Sequence, residues 1–135
     1  MVVVGGSLVG LELAEFLAER GRTVTLLEPG GQVGLPMAMP RRWTAVRRAG
    51  EHGVTILRHA SLERITPTDV HYRTRDGERS VPADAVVVAT DVRPQASLAE
   101  ALRGRGVDVH VVGDAGEVGY IEGAVHSAWR TAATL

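Results

Sequence analysis

The hexapeptide Gly5-Gly6-Ser7-Leu8-Val9-Gly10 stands between a β-branched run, Met1-Val2-Val3-Val4, and a stretch with helical spacing. A glycine opening such a loop permits a tight turn out of a strand, and one closing it lets the following helix press against that strand. The first amides of a helix have no intrahelical acceptor and carry partial positive charge, so this arrangement receives linked phosphates. Gly5 and Gly10 fill the two outer places. Ser7 stands where a glycine would let backbone approach a pyrophosphate. Glu28 closes the next β-run 18 positions past Gly10, the separation expected of a carboxylate that accepts from a ribose 2′-hydroxyl. A carboxylate there repels a 2′-phosphate, so the chemistry is recognition of NAD(H) or ADP in preference to NADP(H). Arg41, Arg42, Arg47 and Arg48 downstream are read as a solvated helix face.

These residues must be positioned by alternating strands and helices. Leu8 to Arg20 is expected to be a helix with Leu13, Phe16 and Leu17 on one side and Glu12, Glu15 and Glu19 on others. Glu12 is expected in the first turn, where it suits the helix dipole. Gly21 ends the helix as a left-handed residue. A strand follows at Thr23–Glu28, a loop at Pro29–Met39, and a helix from Pro40 to about Gly50 that turns Trp43 and Val46 inward. Val54–Arg58 is a third strand. Three short β segments near residues 62–65, 70–74 and 79–81 form a meander, with turns at Thr66-Pro67-Thr68-Asp69 and Asp76-Gly77. Ala85–Thr90 is the fourth sheet strand, and it should lie beside the first. Ser97-Leu98-Ala99-Glu100 matches a capping box for a helix to Arg103. Val107–Val112 is expected as a fifth sheet strand and Tyr120–Thr134 as a closing helix. The expected class is α/β: one Rossmann-like, doubly wound, mostly parallel sheet over residues 1–135, with a small antiparallel meander between strands three and four.

Composition narrows the function classes. The 135 residues carry a net charge of -1, and all 15 basic residues are arginine. That balance does not argue for nucleic acid. No apolar run reaches the ~18 residues of a membrane span and no leader opens the chain, so a cytoplasmic protein is expected. With no cysteine, the chain itself holds no disulfide, thiolate zinc site or Cys-bound iron–sulfur cluster. His52, His59, His71, His110 and His126 lack metal-ligand spacing, and no serine lies in a Gly-x-Ser-x-Gly elbow. No metal site and no catalytic residue is assigned.

Three signals fall in order: the Gly5–Gly10 loop, Val86-Val87-Val88-Ala89-Thr90, and Val109-His110-Val111-Val112-Gly113-Asp114. The series resembles the pyridine nucleotide–disulfide oxidoreductase superfamily, flavoproteins built from two nested dinucleotide-binding domains. Gly116 to Ala124 and the lack of cysteine look similar to the C-terminal part of 2,4-dienoyl-CoA reductase and trimethylamine dehydrogenase-like proteins, which are old-yellow-enzyme fusions. By this resemblance, residues 1–90 correspond to the inserted NAD(P)-binding domain and residues 91–135 to the segment returning to the FAD domain. Thr90 and Asp91 correspond to the end of an "ATG" signature, and Gly113 with Asp114 to the signature whose Asp binds the FAD ribityl chain.

Three departures qualify what the resemblance implies, and the first, Ser7 in place of a glycine, is one that some members of the superfamily share. Asp91 replaces a glycine at the expected pyrophosphate crevice. A carboxylate about 4 Å from a phosphate opposes binding by roughly 1–4 kcal/mol. The first FAD-binding half lies upstream in relatives and is not in this chain, so Asp114 has half a flavin site here and is read first as a turn residue after a strand. The expectation is an NAD(H)- or ADP-binding domain of a flavin-dependent oxidoreductase, not catalytic alone, with FAD bound only in a completed protein. Two alternatives stand beside it: a degenerate module that acts by self-association, and half of a flavoenzyme completed by a partner chain.

Overall fold

The computed structural model describes residues 1–90 and 92–135. They form two compact units, Met1–Thr90 and Asp91–Leu135.

In the first unit β1 (Val2–Val4), β2 (Thr25–Glu28), β3 (Thr55–Arg58) and β7 (Val86–Val88) make a parallel sheet in the order β3-β2-β1-β7. The fourth sheet strand thus pairs with the first, Val2 opposite Val86 and Val4 opposite Val88. The chain leaves β1 to one side and returns through β7 on the other, which creates the crevice at the carboxyl ends where open α/β sheets bind ligands.

Strand alternation divides the core. Val3 and Leu26 point to the face covered by α1 (Leu8–Glu19) and α2 (Met39–Glu51), where Leu11, Ala14 and Ala49 are fully buried. Val2, Val4 and Leu27 point to the other face. There they meet Ala60 and, in the antiparallel sheet of β4 (Ser61–Ile65), β5 (Asp69–Thr74) and β6 (Gly77–Pro82), Val70. The meander is therefore a lid on one sheet face.

α1 ends as expected. Gly21 has φ +78°, its N–H bonds to Ala18, and the Arg22 N–H reaches back to Leu17, closing a Schellman turn. The faces of α1 differ from expectation. Glu15 is buried and Phe16 is 48% exposed, its ring covered by the Arg20 guanidinium at 3.4 Å. The reason is α2: it lies along the Glu12–Glu15–Glu19 side of α1 and supplies cations. Arg41 stands 3.1 Å from Glu12, and Arg48 stands 2.8 Å from Glu15 and 3.5 Å from Glu19. Buried charge persists where it is paired. Glu12 lies in the second turn of α1, not the first. On α2, Val46 packs on the core but Trp43 is 71% exposed, because Ala45 and Ala49 fill the inward face.

The second unit contains α3 (Ser97–Arg103), a short 3₁₀ turn (Gly113–Ala115) and α4 (Tyr120–Ala132). Two expectations fail here. Val107–Val112 joins neither sheet among the described residues, since β-propensity marks a segment fit for pairing without supplying a partner strand. Ser97 is the first helical residue, and Ala96 is the N-cap, its carbonyl accepting from Glu100 N–H at 3.0 Å. The hydroxyl comes one position too late to cap.

Candidate dinucleotide site

Gly5 leaves β1 at φ +103° and its N–H bonds to the Leu27 carbonyl. A Cβ on Gly5 would lie 2.6 Å from the Ala89 carbonyl oxygen, and a Cβ on Gly10 1.8 Å from the oxygen of Gly5. Both outer glycines are thus demanded by contact: Gly5 because the turn passes against the Ala89–Thr90 peptide, Gly10 because α1 sits directly on the turn. Sequence spacing placed these two needs correctly.

Ser7 is the N-cap of α1, yet its hydroxyl makes no capping bond. The Leu11 N–H takes the Ser7 carbonyl, and the Leu8 N–H takes Leu35 at 2.7 Å. The same 29–38 loop donates back through Gly34 N–H to the Gly6 carbonyl at 2.7 Å. The amides of Ser7, Val9 and Gly10 meet no acceptor among the described residues. They form the open part of the cradle.

Glu28, at the end of β2, is brought to the loop. Its Oε2 accepts from Gly6 N–H at 2.8 Å and its Oε1 from Gly30 N–H at 2.6 Å. Each carboxylate oxygen retains acceptor capacity for a ribose hydroxyl. Beyond Gly30, a cleft of about 410 Å³ is walled by Gly31, Met39, Arg42, Trp43 and Arg58. Arg42 is held there by the Gln32 side chain at 3.0 Å. Gly5 to Gly10, Glu28 and Thr90 all belong to the first unit. Asp91 lies outside the described residues.

Gly113 and Asp114 belong to the second unit. Gly113 has φ +66° and donates to Ser127 Oγ at 2.8 Å. Asp114 Oδ1 accepts from the N–H groups of Gly119 and Tyr120, at 3.0 and 3.1 Å. It therefore satisfies the start of α4, a role no local pattern announced because the carboxylate reaches forward five residues. Sequence reading also missed that Glu15, Glu19 and His52 converge with ligand atoms within 4.8 Å of one another. Glu15 and Glu19 lie on α1 and His52 caps the end of α2, 33 positions past Glu19, so no spacing motif exists. Arg48 already supplies the cation of that cluster.

A family model described as pyridine nucleotide-disulphide oxidoreductase matches residues 1–130. NADH oxidase of Thermoanaerobacter brockii is 33% identical over 134 residues, which is 98% of this chain and 21% of that protein. Bilirubin reductase of Mediterraneibacter gnavus is 34% identical over 117 residues, covering 87% of this chain and 18% of that protein. Among solved structures, 2-naphthoyl-CoA reductase superposes with a TM-score of 0.90 at 24% identity, over 99% of this chain and 21% of that one. Histamine dehydrogenase from Rhizobium sp. 4-9 gives 0.87 at 23% identity, over 99% and 23%. Those two speak to the fold. The chain spans about a fifth of the length of the curated relatives it matches. With the match running through residue 130, this chain belongs to the pyridine nucleotide-disulphide oxidoreductase family.

Proposed function

We propose that the first unit binds NAD(H) or ADP, as the pyridine-nucleotide domain of a flavin-dependent oxidoreductase. The observation that carries the reading is the trio of amides at Ser7, Val9 and Gly10, open at the carboxyl end of β1 beside glycines that tolerate no Cβ. These amides hold the pyrophosphate. Glu28 accepts from the adenosine ribose and turns away a 2′-phosphate. The nicotinamide supplies hydride chemistry. This chain's residues bind and orient it, and do not catalyse transfer without a flavin site completed from elsewhere. Gly113 and Asp114 belong to that flavin site, which takes FAD only in a longer or completed protein.

Ile121, Val125 and Trp129 repeat at one face of α4 and are exposed, which supports their burial against the flavin region or a second copy. No described helix is long and apolar enough to cross a membrane, and the cytoplasm is the compartment proposed. A second reading, a scaffold that binds no nucleotide, is favoured by one observation: the Leu8 amide at the mouth of the cradle is already taken by Leu35.

Calorimetric titration with ADP, NAD, NADP and FAD decides between them. Heat for ADP and NAD with none for NADP is expected. Silence for all four, with a dimer by light scattering, overturns the nucleotide reading.

A further inference from the structure

We propose that Glu28 is a positioning residue for the phosphate loop itself, over and above any ribose contact. This inference rests on the nucleotide reading for its binding arm. Glu28 spans two separate pieces of backbone. One oxygen holds the Gly6 N–H at 2.8 Å and the other the Gly30 N–H at 2.6 Å. The loop is built around that side chain: a Cβ on Gly6 would lie 2.9 Å from the Glu28 Cβ, and one on Gly30 2.9 Å from Oε1. Holding the Gly6 amide withdraws it from any phosphate and fixes how the Gly6–Ser7 segment turns. The amides that follow, Ser7, Val9 and Gly10, then stand at the carboxyl end of β1 without acceptors among the described residues. A charge-assisted pair of backbone hydrogen bonds is stronger and more directional than its neutral counterpart. Glu28 thus orders the cradle before a ligand arrives.

Two effects of this carboxylate on a bare anion have opposite signs, and that makes the inference testable. As a negative charge near the cradle, Glu28 repels phosphate, so neutralising it tightens binding. As a positioning group it preorganises the amides, so losing it weakens binding. Inorganic pyrophosphate has no ribose and separates the two. The experiment titrates pyrophosphate and ADP into the intact chain and into Glu28→Gln and Glu28→Asp, with backbone amide exchange followed by NMR without ligand. Glutamine keeps the length and loses the charge; aspartate keeps the charge and is too short to span both amides.

We expect both variants to bind pyrophosphate about 3- to 10-fold more weakly, which corresponds to roughly 0.7–1.4 kcal/mol at 1.4 kcal/mol per tenfold. In both, exchange at Gly6 and Gly30 should accelerate about tenfold or more while α2 and β5 stay protected. That contrast excludes general loosening of the fold. Pyrophosphate binding unchanged or tighter in Glu28→Gln, with ADP alone weakened, overturns the inference and leaves only a ribose contact. An intact chain silent to both ligands overturns the nucleotide reading. The exchange arm then decides the positioning role alone, and unchanged protection of Gly6 refutes it.

Discussion

At the start of α1 and at the start of α4, the chain sets a glycine turn beside a carboxylate, and the two helix ends come out differently. At α1 the acid is Glu28, on a neighbouring strand, and it holds Gly6, a residue before the helix. The amides of Ser7, Val9 and Gly10 have no acceptor among the described residues. At α4 the acid is Asp114, inside the same local turn, and it takes the N–H groups of Gly119 and Tyr120 for itself. Tyr120 stands at φ +56°, a left-handed conformation that costs roughly 1–2 kcal/mol in a residue with a Cβ. A carboxylate that stands outside a helix end leaves its first amides to a ligand. One that reaches into the end takes the first of them.

The largest expected effect is at Gly10. Gly10→Ala puts a methyl 1.8 Å from the Gly5 carbonyl oxygen, so backbone must move. We expect destabilisation of about 3 kcal/mol, the upper end for overpacking, and loss of ADP heat. Gly113→Ala is the matching change at the other helix. Its Cβ would stand 3.3 Å from Ala124 at φ +66°, so about 1–2 kcal/mol is expected, mainly from backbone conformation. Urea unfolding of both variants tests the ranking, and equal penalties would break the contrast between a contact-demanded and a conformation-demanded glycine.

Asp114→Ala comes next. Removing the group that satisfies the start of α4 should cost about 1 kcal/mol, as for other lost helix caps. Trp129 fluorescence in a Trp43→Phe background reads it, since Trp129 lies on α4. The ADP titration should not change. Ser7→Ala is the counterpart at α1 and should cost only a few tenths of a kcal/mol, because the Ser7 hydroxyl caps nothing. A penalty near 1 kcal/mol, the usual one for an N-cap serine, would show that the hydroxyl turns in to the helix amides in solution.

How much of this could be read from residues alone follows the same division. The Gly5 and Gly10 requirements, the strand beside the first strand and the left-handed Gly21 are local or periodic facts, and periodicity states them. What depended on a partner was hidden. The stretch Val107–Val112 has strand composition and joins no strand among the described residues. Glu15 looked like a solvent-facing residue until α2 brought Arg48 against it. Trp43 is large and apolar, but two alanines already fill the inward face of α2. Asp114 looked like a turn residue or a flavin ligand. Its observed work on α4 depends on a chain path that no short motif encodes.

A third carboxylate sharpens the comparison with the smallest effect. Glu63 on β4 accepts from Arg73 Nε on β5 at 2.6 Å, so its partner is a charged side chain rather than backbone. The guanidinium hydrogen bond holds the Glu63 carboxyl below its ordinary 4.5. A carboxyl depressed in the folded state contributes stability above its unfolded value, and that contribution disappears as pH falls through the lower folded value. Glu63→Gln should therefore lower the urea midpoint slightly at pH 7. The gap to the parent should close on acidification below about pH 4, where the parent carboxyl also protonates. Because both groups are solvent-exposed, 0.5 M salt should shrink the gap at pH 7 as well. An undiminished gap at low pH would mean that Glu63 acts through its stem on the sheet and not through its charge. The backbone-held carboxylates Glu28 and Asp114 would then be the only ones of the three whose hydrogen bonds shape the fold.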